Sequence, residues 1–461
     1  MKLLLIVPSC KLDNPMPTLG IACLSAYIKS KNHEVKVLDL WEKTLSDEEL
    51  KNEIAHFAPD LIGVTFYTIR YNAVCDLVNK LKLWFSETSI VAGGTHPSAL
   101  PQEVLREIPS IDFLVIGEGE ITLAEVLELN TFSISRLSKI NGVAYRDGNE
   151  IVLTPPREFI KDLDELPYAD LEQLHPVRYK IHPPFGWYGL PLTMITTRGC
   201  PGLCTFCSKA VYKNRYRSYT PQRVIDEIKY WKNKLPVKEI KFYDDDFTLS
   251  QKRTFEICDL MIKENINLPW TCTTRVDCLS RDLLIKMKEA GLYFIVLGVE
   301  TGSPKVLENL KKGYTVEHIV NAFKWCRELN IPTFGFFMVG LPGETDEDVQ
   351  MTLDLQKQIR PNYLSYGYLK IYPGAPLFDV CKNDPIYNLS KETQYNDVFR
   401  KDFPEEYWTK IIKKAMNKHY FSYIGLKAIL LYLRKTRNFG VVNNYIDLIK
   451  SKRHKLLKEV K

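Results

Sequence analysis

Three cysteines, Cys200, Cys204 and Cys207, stand close together in the segment Thr197-Arg198-Gly199-Cys200-Pro201-Gly202-Leu203-Cys204-Thr205-Phe206-Cys207. Three thiolates at this spacing can wrap one face of an iron–sulfur cube, whereas filling all four iron positions takes four cysteines. One iron is then left without a protein ligand, and that open corner is the reactive position. A structural zinc site would need a fourth Cys or His at short spacing to close its tetrahedron. None is near, for the next cysteine is Cys258 and His182 lies on the far side of the preceding apolar run.

Such a trio works only if rigid elements hold it. From Leu192 to about residue 380 the sequence alternates apolar, β-rich runs with helical patterns. The runs are Leu192–Thr196, Glu239–Tyr243, Trp270–Thr274, Phe294–Val299, Thr333–Val339 and Tyr363–Ile371, and helical patterns begin near Pro221, Gln251, Ser280, Pro304 and Asp346. Six strand–helix units predict a partial (β/α)6 barrel, with its chemistry where strands end and loops begin. The cysteine segment follows the first strand. Other strand ends carry charge: Phe242-Tyr243-Asp244-Asp245-Asp246-Phe247, then Arg275, then Glu300. Acidic residues there can equally cap helices, and a single Arg or Glu can be a surface ion pair.

Residues 1 to about 130 alternate at a shorter period. Leu3–Val7, Val35–Leu38, Leu61–Thr65, Ile90–Ala92 and Phe113–Ile116 read as strands, with amphipathic stretches such as Leu19–Lys29 and Tyr71–Phe85 between them. This pattern predicts a doubly wound α/β domain with a parallel sheet covered on both faces. Ligands of such folds sit at the carboxyl ends of the strands. Those ends read Pro17-Thr18-Leu19-Gly20, Thr65, Gly93-Gly94-Thr95-His96 and Gly117-Glu118-Gly119-Glu120. They are rich in small residues, which either let a large ligand approach the backbone or simply close tight turns.

Between the two lies a bridge. Tyr145-Arg146-Asp147-Gly148-Asn149-Glu150 reads as a hairpin, and Pro155-Pro156 with Asp162-Leu163-Asp164-Glu165-Leu166-Pro167 as an irregular linker. The whole chain of 461 residues is 45% apolar and 26% charged, which is globular and too long for one core. Eleven cysteines is an odd number, and several sit in apolar runs, as core thiols or metal ligands of a reducing compartment do. The first apolar run ends at Pro8 and is too short for a secretory segment. No stretch approaches the roughly 18 apolar residues that cross a bilayer. The expected location is cytoplasmic.

The formal charge of +6 is unevenly spread, with 15 Lys and Arg against 5 Asp and Glu from Lys401 onward. That tail contains the apolar, aromatic stretch Tyr420–Lys435. Either its apolar face packs on the barrel with the cations solvated, or it lies at an anionic lipid surface as a peripheral contact at the inner membrane face. The second alternative would suit a lipid-like substrate. No basic–aromatic groove points to nucleic acid.

The cysteine segment resembles the signature of the radical S-adenosylmethionine (SAM) superfamily, CxxxCxxC with an aromatic residue, here Phe206, before the third cysteine. The resemblance runs over the whole barrel. It implies a [4Fe-4S] cluster on Cys200, Cys204 and Cys207, with SAM on the open iron through its amino and carboxylate groups. It further implies Asp245 and Asp246 near the SAM amino group, Arg275 on the SAM carboxylate, and Glu300 of Gly298-Val299-Glu300-Thr301-Gly302-Ser303 on the ribose hydroxyls. The segments Gly335–Glu344 and Tyr372–Pro376 resemble the late-strand motifs that hold adenine, which puts Val339 and Gly340 beside SAM.

A doubly wound domain ahead of such a barrel resembles the cobalamin-binding subgroup of that superfamily. The resemblance implies cobalamin contacts at Leu19, Gly20, Thr65, Gly93, Gly94, His96, Gly117, Glu118 and Gly119. One departure from cobalamin mutases stands out: no Asp-x-His-x-x-Gly loop follows the first strand, where the chain reads Ser9-Cys10-Lys11-Leu12-Asp13-Asn14-Pro15-Met16. A cobalt without a protein imidazole on that side gives up a methyl group more readily. The resemblance divides the chain into a cobalamin-binding-like domain (1–135), a hairpin and linker (136–190), a radical SAM core (191–400) and a basic helical extension (401–461).

The activity implied is C-methylation of an unactivated carbon, with a 5′-deoxyadenosyl radical opening the C–H bond and methylcobalamin supplying the methyl group. The alternatives are oxidative cyclisation or ring rearrangement without methyl transfer, and a cobalamin sensor or carrier with an inert barrel. The expected partners are a small-molecule substrate and a low-potential electron donor such as flavodoxin or ferredoxin.

Overall fold

The fold comes from a computed structural model, which describes residues 1–9, 16–129, 131–176, 179, 188–383, 407, 410–413 and 415. Strand β1 (Lys2–Val7) is buried from Leu3 to Val7, as a strand covered on both faces must be. It pairs in parallel with β2 (Glu34–Asp39) on one side and β3 (Leu61–Thr65) on the other. Beyond β3 follow β4 (Ser89–Gly93) and β5 (Phe113–Val115), also parallel. The connections therefore diverge from β1, and the carboxyl ends of β1 and β3 open a crevice there.

The expected hairpin is present as β6 (Val143–Asp147) and β7 (Glu150–Leu153), but it does not stand in a separate bridge. Strand β6 pairs antiparallel with β5, with Phe113 opposite Tyr145. Val143, Ala144 and Tyr145 are buried, so the apolar half of the hairpin finds its cover by extending the first sheet past residue 135.

The second sheet has six parallel strands: β8 (Pro191–Met194), β11 (Glu239–Phe242), β12 (Trp270–Arg275), β13 (Leu292–Glu300), β14 (Thr333–Val339) and β15 (Tyr363–Tyr368). They lie in chain order, with β8 and β15 at opposite edges. The helices between them start at side-chain caps, Thr220, Ser250, Ser280, Ser303 and Thr345 each accepting from an N–H of the first turn. The first strand of this sheet ends two residues earlier than its apolar run suggested. After Met194 the chain bends, and Thr197–Arg198 forms a short strand β9 paired antiparallel with β10 (Arg217–Ser218).

One core runs through both sheets, and its partly buried border includes Tyr407, Ile411 and Ile412, with Ala415 inside it. The start of the basic extension thus packs against this shared core. The stretch Tyr420–Lys435 lies outside the described residues. Among the described residues no helix is long and apolar enough to cross a membrane.

Candidate active site

The cysteine loop is shaped by two glycines. Gly199 has φ +79°, and a Cβ there would lie 2.1 Å from the Arg215 carbonyl oxygen, so only glycine turns the chain from β9 into the loop. A Cβ on Gly202 would sit 3.3 Å from Cys200 Sγ and 3.9 Å from Cys204 Sγ. The loop is anchored to the far strands by backbone bonds: Thr205 N–H to the Leu310 carbonyl (3.0 Å), Leu377 N–H to Thr205 (2.9 Å) and Lys209 N–H to Gly374 (2.9 Å). Lys209 Nζ donates to the Cys200 carbonyl (2.9 Å).

The three thiols fit the cluster inferred for them. The hydrogen bond from Cys207, with the Lys312 and Arg275 cations nearby, holds the Cys204 thiol below its ordinary range, and the thiolate is the ligand form. The Gly202 N–H points at Cys200 Sγ (3.4 Å) and Arg275 Nη1 at Cys204 Sγ (3.8 Å), donors that favour anionic sulfur. Among the described residues, no three His, Cys, Asp or Glu side chains gather as ligands of a single ion. Cube ligands need not do so, because each binds a different iron.

The carboxylates expected around SAM divide into used and available. Asp244 accepts from Thr196 N–H (2.8 Å) and Thr197 Oγ1 (2.6 Å) and so fixes the bend between β8 and β9. Asp246 is buried and accepts from Thr274 Oγ1 (2.7 Å) and Cys278 Sγ (3.2 Å). Only Asp245 of the three is exposed, and it faces the cavity described below. Arg275 is likewise engaged, forked onto Asp277 (3.0 and 2.8 Å) and donating to the Lys312 carbonyl (2.6 Å). It can meet a SAM carboxylate only by sharing or changing these partners.

Glu300 is held in the left-handed region, φ +63°, and its carboxylate lies over Gly298, where a Cβ would sit 2.8 Å from Oε1 and push the carboxylate aside. That oxygen accepts from Lys312 Nζ (3.1 Å). Lys312 is a residue that the strand-end pattern did not single out. Burial pulls its ammonium down, but Glu300 and Tyr314 outweigh this and hold it well above the usual lysine range. Its Nζ stands 5.3 Å from the Phe206 ring centroid and 5.1 Å from that of Tyr314. At the end of β14, Val339 is buried and the Gly340 and Leu341 N–H groups donate to Glu344 Oε2 (2.8 and 3.1 Å). Burial raises the Glu344 carboxyl to about 7.

A cavity of about 370 Å³ joins the two halves of the molecule. On one side it is walled by Thr18, Gly20, Thr65, Gly93, Gly94 and Gly117, and on the other by Cys200, Lys209, Tyr212 and Asp245. The polar and backbone surfaces at the crevice thus face the cysteine loop directly. Gly94 (φ +107°) and Gly117 (φ +79°) have conformations that suit glycine, and the open backbone they leave fits a broad ligand such as a corrin. Glu118 and Gly119 also border this space, although the Glu118 carboxylate is bound to Arg198 and Arg217.

Two residues read as cobalamin contacts do not border the cavity. Leu19 points into the core. His96 is 1% exposed, stacked on Phe66 with centroids 4.4 Å apart and hydrogen-bonded through Nδ1 to Thr68 Oγ1 (3.0 Å). Burial lowers its pKa from 6.5 to about 4. The unfolded chain then binds a proton that the folded one refuses, so this stability is complete above pH 6.5 and lost as the pH falls toward 4. By pH 5 the loss amounts to about 2 kcal/mol. Urea unfolding of His96→Gln should show a correspondingly shallower decline between pH 7 and pH 5. An unchanged slope would remove this role.

Comparison with known proteins agrees with this geometry. Residues 194–355 match the radical SAM superfamily, and residues 9–127 match the B12 binding domain. An uncharacterized methyltransferase of Pyrococcus horikoshii is 30% identical over 433 residues, which is 91% of this chain and 92% of that protein. An anaerobic magnesium-protoporphyrin IX monomethyl ester cyclase of Rubrivivax gelatinosus is 29% identical over 425 residues, 90% of this chain and 75% of that one. The fold is similar to that of the radical SAM methyltransferase TsrM of Kitasatospora setae, solved with cobalamin and a [4Fe-4S] cluster bound. The TM-score is 0.67 at 20% identity, over 82% of this chain and 73% of that one.

Proposed function

Because this chain belongs to the radical SAM superfamily, in the group whose barrel follows a B12-binding domain, we propose that it transfers a methyl group to an unactivated carbon of a small molecule. Its cofactors are a [4Fe-4S] cluster, SAM and cobalamin. The observation that carries the proposal is the cavity shared by the crevice of the first sheet and the loop of Cys200. When bound, the cluster and SAM supply hydrogen abstraction and cobalamin supplies the methyl group.

The chain's own part is positioning. Cys200, Cys204 and Cys207 hold the cluster, and Glu300, backed by Lys312, offers a carboxylate to the ribose diol. Asp245 stands at the cavity with room for a cationic amine. The glycine-lined strand ends leave backbone surface for the corrin, and the apolar side chains of Ile21, Leu24 and Val115 help keep water from its edge. The residue roles and the division into a corrin domain and a radical SAM core are parts of the same proposal. So is a low-potential electron donor, such as flavodoxin or ferredoxin, and a peripheral lipid contact of the basic tail with a lipid-like substrate.

The likeness to the cyclase keeps a second reading in play, in which the substrate is closed into a ring without gaining carbon. One experiment separates the two. Anaerobically reconstituted protein receives hydroxocobalamin, a low-potential reductant, a small-molecule extract of its own cells and SAM with a deuterated methyl group. We expect an extract compound to gain the labelled methyl group. Formation of 5′-deoxyadenosine with unlabelled product only would reject methyl transfer in favour of the cyclase reading.

A further inference from the structure

Four charged side chains tie the cavity wall to the strand that leads into Cys200. Arg198 donates through Nη1 to Glu118 Oε1 (2.7 Å) and through Nη2 to Glu120 Oε1 (2.6 Å). Arg217, opposite Arg198 on β10, donates through Nη1 to Glu118 Oε2 (2.8 Å) and through Nη2 to Glu118 Oε1 (2.9 Å). The same Nη1 reaches the Ile160 carbonyl (2.7 Å), and the Ile160 N–H donates to Glu118 Oε2 (3.0 Å). The side chains of Arg198, Glu118 and Glu120 are only 5–6% exposed.

As a means of holding two units together this is costly. Desolvating four ions consumes most of what their attraction returns, and apolar residues of the same size would bind the surfaces as well. What a forked guanidinium adds is direction, because its donors lie in one rigid plane. Both ends of the network are stiff. Glu118 sits between Gly117 in a left-handed turn and Gly119, where a Cβ would meet Leu24 Cδ2 at 3.1 Å. Arg198 adjoins Gly199, where a Cβ would fall 2.1 Å from the Arg215 carbonyl oxygen. Glu118 also lines the cavity, and Arg198 is two residues from Cys200.

The geometry points to Arg198 as a positioning residue: gripping Glu118 and Glu120, it sets the separation and orientation between a corrin in the cavity and a cluster on the cysteine loop. This inference rests on the proposed function, since it needs both groups to be bound.

The test is magnetic and needs no substrate. Full-length protein, anaerobically reconstituted with iron, sulfide and hydroxocobalamin, is reduced with dithionite so that cob(II)alamin and the reduced cluster are both paramagnetic. A nearby, faster-relaxing cluster spin makes the cob(II)alamin signal harder to saturate with microwave power. Wild-type protein should show this rise in half-saturation power. Arg198→Met combined with Glu120→Gln removes one cation and one anion and leaves the Glu118–Arg217 pair in place. It should lose most of the rise at unchanged iron and cobalt per chain, and Arg198→Lys should fall between. An undiminished rise in the double variant overturns the positioning role alone. Wild-type protein that binds no corrin overturns the proposed function, and this inference with it. If the double variant does not fold, Glu120→Gln by itself must still lower the rise, and an unchanged value there is equally fatal.

Discussion

With alanine at Cys200, Cys204 and Cys207 together, the purified protein should keep its fold but carry no iron–sulfur absorbance, and reductive cleavage of SAM should fall to background. The fold survives because the loop does not depend on its sulfur atoms. Of the three thiols only Cys204 is fully buried, and the anchors at Leu310, Gly374 and Leu377 are backbone hydrogen bonds that alanine leaves intact. Activity should be lost because a cube with one free corner would lose all three of its protein ligands at once. Cys258 and Cys326 supply the contrast. Each is fully buried, on the helices Gln251–Lys263 and Val316–Glu328, where a thiol acts as a small apolar group. Alanine at either should cost about 1 kcal/mol of stability through the small void it leaves, with iron and sulfide per chain unchanged. Anaerobic metal analysis checks both halves. Iron retained by the triple variant, or stoichiometric zinc in the wild type, would remove the foundation of the radical chemistry.

Both sheets were legible in the sequence for one physical reason: a parallel strand covered on two faces must be apolar throughout, so Leu3–Val7 and Phe294–Val299 stand out as runs whatever their partners. The cysteine trio was legible because its ligand spacing is local. Where the reading fell short, the deciding contact is distant in sequence. Asp244 takes the N–H of Thr196 from 48 residues away, and this bend, not any change in apolar character, ends β8 early. Arg198 finds Glu118 across 80 residues, and nothing near either residue marks them as partners. Leu19 and His96 illustrate another limit. Being at the end of a strand places a residue near the crevice, but the direction of its side chain depends on packing against elements such as Phe66 that the motif does not contain. The hairpin was recognised from Asp147-Gly148, yet its attachment to β5 followed from which face of Val143–Tyr145 needed cover.

Lys312 is where the next large effect is expected. Replacing it with methionine removes the cation from Glu300, whose side chain is only 11% exposed, and leaves a buried carboxylate without its partner. Breaking a pair of this kind costs about 3–5 kcal/mol. Lys312→Met should therefore unfold in the barrel well before the wild type, and SAM-dependent formation of 5′-deoxyadenosine should nearly vanish. Adding Glu300→Gln removes the stranded charge, so the double variant should recover most of the lost stability. It should not recover SAM cleavage, because the amide has lost the second acceptor oxygen that would face a vicinal diol. The two readouts thus separate holding the fold from holding the cofactor. Urea unfolding of the four proteins in the cycle, beside 5′-deoxyadenosine yield under dithionite, makes the comparison. A double variant as unstable as Lys312→Met would show that Glu300 is not what the lysine neutralises. Full SAM cleavage by Glu300→Gln would take the ribose role away from this carboxylate.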